Sequence, residues 1–281
     1  MIKNQIKTVI LLGLLTALLL WIGSFWGRGG LFIGLILALL INFGSYWYSD
    51  KIVLAMYRAT PVSKSEAPLL HRIVEEVSDR ASIPKPRVYV IPTSTPNAFA
   101  TGRNPKHAAV ACTKGILELL DENELKGVIA HEISHIKNRD TLIQTIAATI
   151  AGVISYIAFM VRWAAIFGGY GRDRDGGNIF ELLALAILTP IIASIIQLAI
   201  SRSREYLADE RAARILHNGN GLADALEKLD SGIRHNPIRF GSPTTSSLFI
   251  VNPFNARGLI ALFSTHPPVR ERIKRLRAMK F

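Results

Sequence analysis

The chain is short of several things, and each shortage narrows what it can be. It has one cysteine, Cys112, in 281 residues, so an intrachain disulfide is excluded, in keeping with a reducing compartment. Cys112 falls in a stretch that reads as a strand, where a thiol is a buried packing residue rather than a nucleophile. There is no internal repeat and no low-complexity segment, which excludes solenoid and disordered architectures. Acidic residues are scarce, 21 against 33 Lys and Arg, leaving a net charge of +12. That balance invites a nucleic-acid reading. The basic residues, however, are spread over all the polar segments and no aromatic–basic module accompanies them, so no nucleic-acid partner is expected. Attraction to anionic lipid is the simpler account of the charge.

Charge is missing altogether from four stretches, Thr8–Gly27, Gly29–Ser49, Thr141–Val161 and Leu182–Ser201. Each is about 20 residues long, the length that crosses the hydrocarbon layer as a helix. One such stretch could be a buried core helix. Four leave too little polar sequence to wrap them, so the bilayer is the expected partner. No small-residue cleavage site ends the first run, and a second apolar run follows almost at once, so a retained hairpin is expected rather than a signal peptide. Lys3 and Lys7 precede the first run, and segments 50–140 and 202–281 hold most of the Lys and Arg. The positive-inside bias then places the N-terminus and both polar segments in the cytoplasm, in a multi-pass protein of the cell membrane.

The organisation that follows is an N-terminal transmembrane hairpin over 1–49, a catalytic domain assembled from 50–140 and 202–281, and a second hydrophobic hairpin, 141–201, inserted between its halves. Helical spacing runs from Glu66 to Ala81 through Leu69, Leu70, Ile73, Val74 and Val77. Arg87–Ile91 alternates like a strand; Asn97–Thr101 and Ala108–Thr113 read as two more. Asp121 followed by Glu124 resembles a capping box opening a helix that carries on through His135, either into the third apolar run or to a bend near Asn138. Residues 202–216 and 222–229 read as helices, 236–255 as a long loop rich in Pro, Ser, Thr and Asn. Residues 269–279 form a basic amphipathic helix whose stripe, Val269, Ile273 and Leu276, packs on the domain while its charges are solvated. The fold class is α+β, mainly α.

The informative pentapeptide is His131–Glu132–Ile133–Ser134–His135. On a helix, positions i and i+4 share a face, so both imidazoles can address one metal ion. Glu132 lies about 100° round the helix, from where a carboxylate can act as general base on a zinc-activated water. A catalytic zinc site needs a third protein ligand and an open position. The candidate is Glu205, just past the fourth apolar run, because a hairpin of the third and fourth runs returns the chain to the face that carries His135. Asp209, one turn on, is placed to orient a ligating histidine, and Asp140 is a second candidate for that role.

The pentapeptide, the Glu205–Tyr206–Ala208–Asp209 cluster, the segment Asn97–Ala98–Phe99–Ala100–Thr101–Gly102 and the terminal Thr265–His266–Pro267–Pro268 together resemble the HtpX family of membrane zinc proteases, relatives of the CAAX prenyl endopeptidases. The resemblance extends from the first apolar run to the C-terminus. It implies a zincin-like domain facing the cytoplasm, one Zn2+ per chain, and cleavage of misfolded or damaged membrane proteins in envelope quality control. It also implies that Asn97, Ala98, Phe99 and Ala100 belong to an edge strand along which an extended substrate pairs, and that His266 lies near the site as a candidate oxyanion stabiliser, with Arg202 and Tyr206 as competitors. Three other readings stand beside it: processing of a prenylated C-terminal peptide, intramembrane proteolysis, and a zinc-dependent membrane scaffold. The charged flanks of the motif, Glu124, Lys126, Lys137 and Arg139, speak against the second, and retention of Glu132 against the third, since structural zinc needs no base.

Overall fold

A computed structural model of the chain describes residues 2–24, 26–144, 146, 147, 150, 202–235, 250 and 267–281. Two long helices, α1 (Ile2–Ser24) and α2 (Gly27–Trp47), form the N-terminal hairpin. They approach closely along small residues. A Cβ on Gly30 would stand 2.1 Å from the Gly23 carbonyl oxygen, and one on Gly34 would stand 2.7 Å from that of Leu19. The Asn42 amide donates to the Thr16 hydroxyl across the interface at 2.8 Å. Both helices are long and apolar enough to cross a membrane, and only 28% and 22% of their apolar windows is buried. A helix of an aqueous core would bury most of that surface; here Val9, Phe32, Leu39 and Leu40 face outward.

A short helix, α3 (Ser49–Met56), links the hairpin to a four-stranded sheet of β1 (Thr60–Pro61), β2 (Arg87–Ile91), β3 (Ala98–Asn104) and β4 (His107–Thr113). The strand order is β1-β2-β4-β3, with β2 and β4 parallel and the outer pairs antiparallel. Alternation along β4 divides the two cores. Ala108, Val110 and Cys112 face the main core, while Ala109 and Ala111 face a smaller one with Phe99 and with Val53, Leu54 and Tyr57 at the end of α3. Cys112 is fully buried, and burial pushes its thiol well above the ordinary range. Helix α4 (Pro68–Ala81) starts two residues later than its spacing predicts, with Pro68 in the first turn, where no N–H is needed. It buries Leu70, Ile73, Val74, Val77 and Ala81, and ends with Ser82 in the left-handed region. Two elements lack a sequence signal: the two-residue β1, and the single-turn-and-a-half α5 (Lys114–Leu119), capped by the Thr113 hydroxyl.

Helix α6 (Glu122–Asn138) is the centre of the molecule. Its N-terminus carries the expected capping box, Asp121 accepting from the Glu124 N–H and Glu124 accepting from the Asp121 N–H. From Val128 to Ile136 every residue is buried, because β3, α4 and the two later helices α7 (Arg202–Leu216) and α8 (Asn220–His235) surround it. Gly127 permits a close approach of α8: a Cβ there would lie 2.5 Å from the Leu222 nitrogen. Of the two courses open beyond His135, the chain takes the bend. Arg139 adopts a left-handed φ of 60° and helical geometry resumes at residue 140. Leu142, Ile143, Ile146, Ala147 and Ile150 then pack against Leu11, Leu15, Leu19 and Ala38 of the hairpin. The rest of the apolar run 141–161, the whole of 182–201 and the loop 236–255 apart from Ile250 lie outside the described residues.

The last helix, α9 (Val269–Arg277), packs Val269, Ile273 and Leu276 on the main core as its stripe predicts. It departs from the expectation of solvated charges at one position: Arg272 is 1% exposed. Its place in the stripe, three residues after Val269 and four before Leu276, turns the guanidinium inward with them.

Candidate metal centre

The pentapeptide lies in the buried stretch of α6, and α7 crosses beside it. His131, His135 and Glu205 are all buried, and their ligand atoms lie within 4.8 Å of one another. The two Nε2 atoms are 3.1 Å apart. Glu205 places one carboxylate oxygen 3.6 Å from the His131 Nε2 and the other 3.5 Å from the His135 Nε2. Donor atoms at about 2.0–2.2 Å from a tetrahedral ion stand roughly 3.3–3.5 Å from each other, so the donor set has the chemistry and the spacing to hold one cation. The other side of each imidazole is engaged. The Asp209 Oδ1 lies 2.9 Å from the His131 Nδ1, and the Asp140 Oδ2 lies 3.3 Å from the His135 Nδ1. A carboxylate at Nδ1 holds the proton there and leaves the Nε2 lone pair directed at the centre.

Arg272 completes this outer ring. Its Nε and Nη2 donate to the two Asp209 oxygens at 2.8 and 2.7 Å, and its Nη1 donates to the Ile250 carbonyl at 2.9 Å. Nη1 also stands 3.9 Å from Glu205. Burial alone would push the Asp209 carboxyl up; the facing guanidinium outweighs it and holds the group at about 2. Burial likewise pulls the His131 imidazole down, but Asp209 and Glu205 beside it prevail and raise it to about 9. A pair of buried carboxylates and an imidazole are thus held together by one buried cation contributed by a helix 63 residues beyond Asp209.

Glu132 is buried on the sheet side of α6. Burial raises its pKa, opposed by the two histidines, while the Ala100 N–H donates to the carboxylate. That contact ties the acid to the outer edge of β3. The strand is an edge strand, but its outward groups are engaged: the Ala98 carbonyl accepts from the Ile250 N–H at 3.3 Å, and the Gly102 carbonyl from the Thr141 hydroxyl at 3.0 Å. Asn97 and Phe99 are fully buried, with Asn97 accepting from Thr113 at 2.9 Å.

The model of peptidase family M48 matches residues 64–280. The chain belongs to peptidase family M48. Curated relatives in this family include a protease HtpX homologue from Pyrococcus furiosus, 56% identical over 97% of this chain and 94% of its own length. Another, from Syntrophobacter fumaroxidans, is 56% identical over 98% and 99%. Among solved structures, the crystal structure of S. mikatae Ste24p matches with a TM-score of 0.53 and 20% identity, covering 98% of this chain and 66% of that one. At that identity the likeness is one of fold. M48 membership, the HtpX relatives and the apolar hairpin make the chain a membrane metalloprotease, and His131, His135 and Glu205 form a group that could hold its metal.

Of the remaining M48 site candidates, Asp209 and Asp140 are brought to the histidines, whereas His266 lies outside the described residues. Arg202 is exposed, and the Tyr206 ring lies under the Arg275 guanidinium at 3.7 Å. Arg272 was not among the candidates. Its one signal is a charge set on the apolar stripe of an amphipathic helix, a place where a charge requires a buried partner.

Proposed function

We propose that the chain is a zinc endopeptidase of the cell membrane, with its catalytic domain in the cytoplasm, that hydrolyses peptide bonds of misfolded or damaged membrane proteins. The convergence of two imidazole Nε2 atoms and one carboxylate, with Glu132 alongside, carries this reading. Two nitrogens and one oxygen suit zinc, and three protein donors leave a position open. When bound, zinc supplies the Lewis acidity that polarises a scissile carbonyl and makes water acidic. The chain's own residues do the rest. Glu132, its affinity for protons raised by burial, accepts the proton of the attacking water and delivers it to the leaving amine. Asp209 and Asp140 keep both imidazoles in the Nδ1–H tautomer, and Arg272 keeps Asp209 charged. His266 is the oxyanion stabiliser in this reading.

The outer edge of β3 is the proposed seat of the substrate backbone, through Ala98 and Ala100, the alternate positions of the segment Asn97–Ala98–Phe99–Ala100. An incoming strand there exchanges with the Ile250 contact on Ala98. Recognition through backbone groups is tolerant of side chains, which suits a protease of damaged proteins. The polar segments' excess of Lys and Arg supports the cytoplasmic side.

Glu132→Gln tests the assignment. Purified in detergent, parent and variant are expected to hold about one zinc per chain each, with casein cleaved by the parent alone. Cleavage by the variant removes Glu132 as base, and absence of metal from both removes the centre itself.

A further inference from the structure

A second cavity, of about 470 Å3, lined by no residue of the metal centre, opens where the end of α2 meets the β3–β4 hairpin. Its volume falls in the ~300–1,000 Å3 range of small-molecule sites. One wall is aromatic, Phe43, Trp47 and Tyr48, at the last turn of an apolar helix long enough to span the bilayer. Aromatic rings at such a position mark the headgroup level. The facing wall is cationic. Two of its basic groups are neutralised: Arg87 pairs with Asp50, and Lys85 pairs with Glu75 at 2.6 Å. Lys51, Arg103 and Lys106 have no carboxylate partner among the described residues.

The unpaired cations are arranged around the aromatic wall. The Arg103 guanidinium lies 4.6 Å from the centre of the Trp47 ring and donates to the Trp47 carbonyl at 3.3 Å. The Lys51 ammonium stands 5.3 Å from the Tyr48 ring. A register irregularity between Gly102 and Asn104 shapes the strand end that carries Arg103. Arg103 also borders a neighbouring cavity of about 290 Å3 with Thr8, Tyr46 and Arg139, so the hairpin tip sits at the same level beside α1.

We infer that this cavity binds the headgroup of an anionic phospholipid, its phosphate held by Lys51, Arg103 and Lys106 and its glycerol and upper acyl chains lying along Phe43 and Trp47. A soluble anion would use the cations and leave the aromatic wall idle; a zwitterionic lipid would use the wall and gain little from three unpaired cations. An amphiphile with net negative charge at headgroup depth uses both.

The full chain in an uncharged detergent can be titrated with phosphatidylglycerol or with phosphatidylcholine of the same chain length, and bound lipid counted by native mass spectrometry. Phosphatidylglycerol is expected to be retained in preference. Each basic group at the membrane surface contributes about fivefold to affinity, so Lys51→Gln with Lys106→Gln should weaken phosphatidylglycerol about 25-fold and leave phosphatidylcholine unchanged. Lys106→Gln alone, at an exposed hairpin position, should cost about fivefold and serves if the double variant does not fold. Equal retention of the two lipids, or parental retention by the variants, overturns the inference. Displacement of phosphatidylglycerol by excess inorganic phosphate would reassign the cavity to a soluble anion and overturn it too.

Discussion

Replacing Arg272 with Met keeps the length of the side chain and removes all its donors. Asp209 would then be a buried carboxylate, 3% exposed, that has lost two charge-assisted hydrogen bonds of 2.8 and 2.7 Å. The Ile250 carbonyl would lose its 2.9 Å donor as well. Removing one partner of a buried ion pair costs about 3–5 kcal/mol when the other charge is left uncompensated; His131, 2.9 Å from Asp209, remains to face it, so the lower end of that range is expected. The thermal midpoint of detergent-solubilised Arg272→Met should fall accordingly, measured against the parent at one heating rate. The acid limb of stability should move too. A depressed carboxyl stabilises the fold above its unfolded pKa of about 3.9, and that stabilisation is lost as pH falls through about 2. Without the guanidinium, burial pushes Asp209 up, so the loss begins at higher pH. Adding Asp209→Leu removes the stranded charge and should recover much of the stability. It should lower metal affinity, because His131 then lacks its Nδ1 acceptor, a loss worth about 10–100-fold. A single variant within about 0.5 kcal/mol of the parent, the range of an ordinary surface change, would show that Arg272 is solvated and would refute the reasoning.

Metal binding should be proton-linked. His131 is raised to about 9 without metal and must be neutral to ligate, so below that pH binding releases a proton and apparent affinity should climb about tenfold per pH unit until it levels. Chelator competition across the range measures this, and a flat profile would contradict it. The same raised imidazole stabilises the metal-free fold below its unfolded pKa of about 6.5, a contribution lost as pH rises through about 9. Glu205→Ala should lose both metal and casein cleavage, since it supplies both oxygens that face the imidazoles; retained zinc would show that the third ligand lies elsewhere. Gly127→Ala should destabilise by about 1–3 kcal/mol, read as a lower midpoint, because its Cβ would meet the backbone of Leu222 rather than a yielding side chain.

The elements legible in the sequence are those whose signal is local. The capping box of α6, the stripe of α4, the alternation of β2 and the apolar hairpin each depend on neighbours within a few residues. The same locality put His131 and His135 on one helical face. The approach of Glu205 and Asp209 to that face was also legible, because two apolar runs between them and α6, read from the sequence as a hairpin, would return the chain to the membrane face that carries His135. Short or pairing-dependent pieces were not. The two residues of β1 exist because β2 offers an edge to pair with, and α5 depends on a cap at the end of β4. The bend after α6 was one of two open courses, and Arg139 in the left-handed region decided it.

By itself, then, the sequence determined a helix with two histidines on one face, a carboxylate that could join them as a third donor, a reactive-thiol-free core and an apolar N-terminal hairpin, since periodicity and charge exclusion act along the chain. Only the tertiary structure decided which charges are internal. Arg272 reads as one more base on a basic helix until α9 packs against α7 and sets it against Asp209. Glu132 and the edge of β3 meet at the Ala100 N–H for the same reason. A buried charge is stable only beside its partner, and the partners here are contributed by residues 63 and 32 positions away in the chain, brought together by packing that no local pattern encodes.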